Sequence, residues 1–162
     1  MKFLVLALCI AAASAAVLTT EQADLVKKTW STVKFNEVDI LYAVFKAYPD
    51  IMAKFPQFAG KDLDSIKDSA AFATHATRIV SFLSEVISLA GSDANIPAIQ
   101  NLAKELATSH KPRGVSKDQF TEFRTALFTY LKAHINFDGP TETAWTLALD
   151  TTYAMLFSAM DS

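Results

Sequence analysis

Cysteine is almost missing from this sequence. The single thiol among 162 residues is Cys9, inside an apolar leader-like segment, so the remainder offers no disulfide, no thiol nucleophile and no Cys-ligated zinc. Glycine and proline are scarce as well, with 4 and 5 copies, and they punctuate the chain rather than fill it. No excess of basic charge exists. Without Lys2 of the leader, 14 Lys and Arg stand against 17 Asp and Glu, a balance that gives no reason to expect nucleic acid or an anionic membrane surface as partner. Nor does any uncharged apolar run reach the roughly 20 residues that a membrane span needs. Alternating strand patterns, internal repeats and low-complexity tracts are absent.

Residues 1–15 hold one charge, Lys2, then an apolar run from Phe3 to Ala13 and a small-residue end, Ala13-Ser14-Ala15. This is the three-part pattern of a secretory signal peptide, expected to be cleaved after Ala15 or Ala16, and it predicts a secreted protein. Residues 16–162 are long enough for one domain with a single core.

Breakers fall in clusters: Pro49, Pro56 and Gly60; Gly91 and Pro97; Pro112 and Gly114; Gly139 and Pro140. The intervals between them show apolar spacing near 3.6. Thr19-Thr20-Glu21-Gln22 reads as a capping box, leading into Val26, Trp30 and Val33. A second helix starts again around Asn36, with Leu41, Val44, Phe45 and Tyr48 on one face. The next covers residues 69–90 through Phe72, Ala76, Ile79, Leu83 and Val86. A shorter one carries Ile99, Leu102, Leu106 and His110, and Pro112, which biases Lys111 away from helical angles, is expected to end it. Two more cover residues 117–134 (Phe120, Phe123, Leu127, Leu131) and 141–160 (Trp145, Ala148, Thr152, Leu156), with Pro140 suited to a first turn. The expectation is an all-α fold of six main helices, with short ones near Phe55 and Lys61.

Three histidines, His75, His110 and His134, remain as chemistry-bearing groups. A lone helical histidine is commonly structural. His75, however, shares a helix face with Phe72, Ile79 and Phe82. His110 ends its own stripe below Leu106 and Leu102, where a ring with one nitrogen fixed by a nearby oxygen suits metal ligation. Two inward histidines cannot complete a zinc site, which takes three or four protein ligands. A haem iron needs one, because the porphyrin supplies four nitrogens, and haem is the more economical expectation.

At this point the sequence resembles the globin family. The run Tyr48-Pro49-Asp50-Ile51-Met52-Ala53-Lys54-Phe55-Pro56-Gln57-Phe58 is similar to the globin corner in which a proline opens a short helix and a phenylalanine six positions on packs against haem. Thr74-His75-Ala76-Thr77-Arg78-Ile79-Val80 is similar to the distal helix, Ser109-His110-Lys111-Pro112 to the proximal one, and Trp30 stands where the first helix usually carries a tryptophan. With the leader, the chain most resembles the extracellular haemoglobins of midge larvae. Its one departure is the spacing of 35 from His75 to His110, a few residues longer than in most globins, with the extra length expected within residues 88–101.

The resemblance implies a globin fold enclosing haem b, with His110 as proximal iron ligand through Nε2 and His75 as distal donor to bound O2. It implies Phe55 and Phe58 packed on the porphyrin, Ile79 walling the ligand pocket, Leu106 and Val115 on the proximal side with Phe123 as a neighbour, and Arg78 near a propionate, with Arg113 a weaker candidate. Plainer readings stand beside these: core for the phenylalanines and Ile79, a solvated side chain for Arg78. His134 is expected to be structural. The implied function is reversible O2 binding for transport or storage, with CO and NO as further ligands, in a haemolymph-type fluid, and not enzymatic. The rivals are a haem-dependent nitric oxide dioxygenase or peroxidase-type activity, and a haem-free helical carrier of apolar ligands. A monomer or a homodimer is equally compatible.

Overall fold

Eight α-helices and two 3-10 turns account for the regular structure of residues 18–162, the part of the chain that the computed structural model describes. The leader and its cleavage position lie outside the described residues. Helix α1 (Thr20–Val33) starts as its sequence requires: the Thr19 side chain accepts from the Gln22 N–H, and the Gln22 side chain accepts from the Thr19 N–H. After the break at Asn36 come α2 (Glu37–Ala47) and the short α3 (Pro49–Met52) and α4 (Leu63–Ile66). The long helices α5 (Ala70–Leu89), α6 (Ile96–His110), α7 (Lys117–His134) and α8 (Gly139–Asp161) follow.

The two short helices expected near Phe55 and Lys61 lie at Pro49–Met52 and Leu63–Ile66, where Pro49 occupies the first turn of one and Asp62 caps the other through the Ser65 N–H. One expectation is corrected: Pro112 does not push Lys111 out of helical angles. Lys111 keeps φ −54° and ψ −47°, and the chain tightens into the 3-10 turn Lys111–Arg113 until Gly114, at φ +67°, ends it.

The main core gathers around two tryptophans. Trp30 and Trp145 meet edge to face with centroids 6.0 Å apart, and each satisfies its indole N–H on another helix: Trp30 donates to Ser84 Oγ at 2.8 Å, Trp145 to Thr29 Oγ1 at 3.0 Å. Burying an indole is favourable only when its N–H keeps a partner, so these bonds fix α1 against α5 and α8. A second cluster of Phe45, Phe58 and Phe72 ties α2, the α3–α4 connection and α5 together. A third lies between α6, α7 and α8, where Ala103 and Ala107 are buried with Phe120 and Leu156. Small residues there let α6 and α8 approach closely.

The connection after α5, where the extra length is expected, is compact. A 3-10 turn, Asp93–Asn95, leads straight into α6, and partly buried carbonyls at the end of α5 are capped by side chains: Asn95 Nδ2 donates to Leu89 O at 2.9 Å and Lys27 Nζ to Ala90 O at 3.1 Å. Gly91 is constrained twice, by φ +89° and by Ala23, whose Cβ would lie 2.5 Å from any added Cβ. Gly60 shares the positive φ, at +73°, but has open space. Gly91→Ala is therefore expected to destabilise by more than the roughly 1–2 kcal/mol that a left-handed non-glycine residue costs, and Gly60→Ala by no more than that amount. Urea unfolding of the two variants checks the order.

Candidate functional site

Between α5, α6, α7 and α8, closed on one side by the α3–α4 connection, lies a cavity of about 450 Å³ with a mainly apolar lining. Helical spacing explains which side chains reach it. On α5, His75, Ile79 and Phe82 are one turn apart and line it, while Phe72 and Ala76 point into the adjoining core. On α6 the apolar surface divides: Ala103 and Ala107 pack toward α8, and Leu106 and His110 turn to the cavity.

His110 is oriented by its own helix. Its Nδ1 lies 2.9 Å from the Leu106 carbonyl oxygen one turn back and 2.9 Å from Ser109 Oγ. A carbonyl only accepts, so Nδ1 carries the proton and donates to it. In the neutral ring Nε2 is then left with a free lone pair. Burial lowers the His110 pKa, with the Leu106 bond opposing the shift and Arg113 adding to it. The ring also packs on Phe120, centroid to centroid 5.4 Å.

His75 is held by aromatic rings. Its centroid is 4.3 Å from Phe55 and 6.5 Å from Phe58. Burial depresses its pKa to about 4, helped by the nearby His110, Arg78 and Arg113. The two histidines thus face one cavity, close enough for charge on one to disfavour charge on the other, and both are neutral near pH 7. At the edge, Lys54, Arg78 and Arg113 also line the cavity, and both arginines are exposed to solvent.

Of the residues singled out in the sequence, Phe55, His75, Arg78, Ile79, Leu106, His110 and Val115 all line this cavity, as does Phe123. Phe58 does not. At 1% exposure it sits one layer back, against Phe45, Phe55 and Phe72, where it supports the Phe55 and His75 rings. His134 lies on the surface, bonded to the Tyr130 carbonyl and stacked on the Tyr130 ring. Sequence reasoning missed the parts played by Phe120, Ser109 and Lys54. The sequence puts Phe120 only on a core stripe, and the six-residue link between α6's end and α7 that brings it onto His110 has no periodic signal.

The donor set is informative. Among the described residues no group of three or more His, Cys, Asp or Glu could hold a metal ion. One neutral imidazole facing another across an apolar cavity, with cations at its edge, instead suits a flat apolar group that brings its own metal ligands and carries acidic substituents.

The comparisons with known proteins agree with this geometry. The sequence profile of the globin family matches residues 38–156. Globin CTT-VIIB-7 of Chironomus thummi piger is 59% identical, over 98% of this chain and 98% of its own. Globin CTT-VIIB-3 of Chironomus thummi thummi is 60% identical, over 95% of this chain and 96% of its own. Among solved structures, a hemoglobin component (TA-VII) from Tokunagayusurika akamusi superposes with a TM-score of 0.85 at 43% identity, covering 89% of this chain and 97% of that one. A Drosophila melanogaster globin superposes with a TM-score of 0.80 at 28% identity, covering 87% and 94%. The chain belongs to the globin family.

The histidine environment has a consequence for the protein without its cofactor. In unfolded chain His75 takes up a proton near pH 6.5, whereas the folded ring resists until about 4. Between those values the unfolded state binds more protons, so stability falls as pH drops through this window. His110 acts in the same direction. Cofactor-free protein should lose stability from pH 6.5 to 5.5, where carboxylates barely titrate, and His75→Leu should flatten that slope. Urea midpoints across the interval measure it.

Proposed function

We propose that this globin is a secreted carrier that holds haem b in the cavity between α5 and α6 and binds O2 reversibly, for transport or storage. The observation that carries the reading is the oriented, neutral imidazole of His110, with its free Nε2 lone pair on the same apolar cavity as a second neutral imidazole. Bound there, haem b supplies a ferrous iron that takes up O2, CO or NO reversibly.

Each side chain then has a task that its surroundings permit. His110 offers Nε2 as the one protein ligand to the iron, and Leu106 O fixes its tautomer and ring direction. Protonation of Nε2 would remove the lone pair, and burial opposes it. His75, uncharged at neutral pH, holds one ring N–H that it can donate toward a gas ligand on its side of the cavity. Such a donor favours a ligand that draws negative charge, so it raises affinity for O2 more than for CO. Phe55, Ile79, Leu106, Val115 and Phe123 keep water from the group and supply its apolar contacts. Arg78 and Arg113, with Lys54, line the cavity and would pair with its acidic edge, and Phe58 holds Phe55 in place from behind.

We read the protein as a carrier rather than an enzyme. Arg78 beside His75 is the charged partner that a distal acid–base pair for O–O cleavage would use, but it is solvent-exposed at the cavity edge, where pairing with an acidic group of the cofactor is the simpler use. The haem-free carrier of apolar ligands is set aside by the family. Among the described residues no helix is long and apolar enough to cross a membrane, and the leader of residues 1–15 is our reason for placing the mature domain, residues 16–162, outside the cell.

His110→Ala is expected to lose haem during gel filtration while keeping its helical circular dichroism. His75→Leu should retain haem but bind O2 about 10- to 150-fold more weakly, the worth of a charge-assisted hydrogen bond of roughly 1.5–3 kcal/mol. Its CO affinity should change far less. Equal losses for both gases would contradict the donor role of His75.

A further inference from the structure

The Leu106 bond aims the His110 ring, but both polar partners of the ring, Leu106 O and Ser109 Oγ, meet it at the same atom, Nδ1. A ring held at one corner keeps its tautomer and its general direction, yet it can still rock about that corner and carry Nε2 with it. Rocking is limited by what packs on the ring. Phe120 of α7 packs there, tilted 54° to the imidazole with centroids 5.4 Å apart.

Phe120 is itself held from α8. Tyr153 donates its phenol O–H to the Phe120 carbonyl at 2.8 Å, and its ring meets the Phe120 ring edge to face, 6.3 Å away with 76° between the planes. A carbonyl has two lone pairs, so one inside a helix can accept this bond in addition to its helical one. Behind Tyr153 stands Phe157, one turn further along α8, with centroids 5.5 Å apart. The contacts therefore run in order from Phe157 and Tyr153 of α8, through Phe120 of α7, to His110 at the end of α6.

The hydroxyl is the part of Tyr153 that packing alone does not explain. Tyr153 lies against the apolar cluster of Ala103, Ala107, Phe120 and Leu156, where a phenylalanine would supply the same contacts and a polar atom is costly unless it is bonded. Burial pushes the Tyr153 pKa up, with Arg124 opposing the shift, so the phenol keeps its proton and stays a donor. Tyr153 and Phe120 both line the cavity, on the wall that also carries His110.

We propose that Tyr153 positions His110: by holding Phe120 through its hydroxyl, it keeps the imidazole from rocking and Nε2 on its line into the cavity. As a statement about the ring, this stands on the contacts alone. As a control on how firmly His110 holds iron, it rests on the haem reading.

Tyr153→Phe, which removes the hydroxyl and keeps the ring, tests it in the haem-loaded protein. The iron–histidine vibration of the ferrous form, read by resonance Raman, should shift or broaden. Hemin loss to a scavenger protein should speed up by about two- to twelvefold, the range that a neutral hydrogen bond spans. Phe120→Leu should change both readouts in the same direction, and adding Tyr153→Phe to it should change them no further, because Tyr153 acts through Phe120. Additive effects overturn the proposal, as does a Tyr153→Phe protein that has lost stability but keeps its vibration and its rate of hemin loss. Should Tyr153→Phe fold poorly, an unchanged vibration in Phe120→Leu overturns it as well. Crystal structures of the unmodified and Tyr153→Phe proteins compare the Phe120 and His110 rings directly, and rings that do not move contradict the positioning role. An unmodified protein without a Soret band would count against the haem reading alone, and the crystal comparison would still decide what holds the ring.

Discussion

The bond from His110 Nδ1–H to the Leu106 carbonyl fixes both the direction of the ring and its tautomer, and the use of the cavity follows from it. The bond needs one turn of regular helix and nothing from outside α6, so the geometry of the proposed ligand is built into local structure. Burial of the ring then ensures that the nitrogen left facing the cavity holds a lone pair rather than a proton. Were α6 frayed at that turn, the carbonyl would have no fixed position and the imidazole no preferred nitrogen.

Keeping that turn intact is a matter of packing. Alanines 103 and 107 set α6 tightly on α8, and the face carrying Leu106 and His110 is thereby turned to the cavity. On the other side, α5 is held by the tryptophan pair of α1 and α8, and its long body carries His75 to the same space. Three ion pairs join α7 to α8, at 2.5 Å for Lys117–Asp161 and Arg124–Asp150 and 2.9 Å for Lys132–Glu142. They are largely exposed and add little to stability, but they agree with the antiparallel register that the buried residues impose. The framework is thus apolar packing with a few satisfied buried polar groups, as a domain without disulfides requires.

The long helices were legible because breakers are rare and apolar spacing persists over several turns; the faces of α5, α7 and α8 follow directly from it. The two histidines were legible for the same reason, each lying on such a stripe. What periodicity could not supply was the division of α6. Leu102, Leu106 and Ala103, Ala107 lie on adjoining faces, and only the neighbour, α8, decides that the alanines take the tight contact. Phe58 shows the same limit: the spacing from Pro49 placed two phenylalanines near the site, but three-ring packing with Phe45 and Phe72 put one of them behind the other. The fate of Lys111 depended on local chain geometry, where a 3-10 turn accommodates Pro112 without leaving helical angles.

The proposal turns on whether the cavity takes a group whose iron would be ligated by a neutral His110, with its O2 site on the side of His75. The visible absorption spectrum of the purified protein tests it most directly, recorded with hemin present after dithionite reduction, then after removal of the reductant under air, and finally under nitrogen. The account predicts an intense Soret band of a five-coordinate ferrous form that shifts on exposure to O2 and returns when O2 is removed. A protein that shows no Soret band after hemin is added, or a ferrous spectrum that O2 does not change, would contradict it.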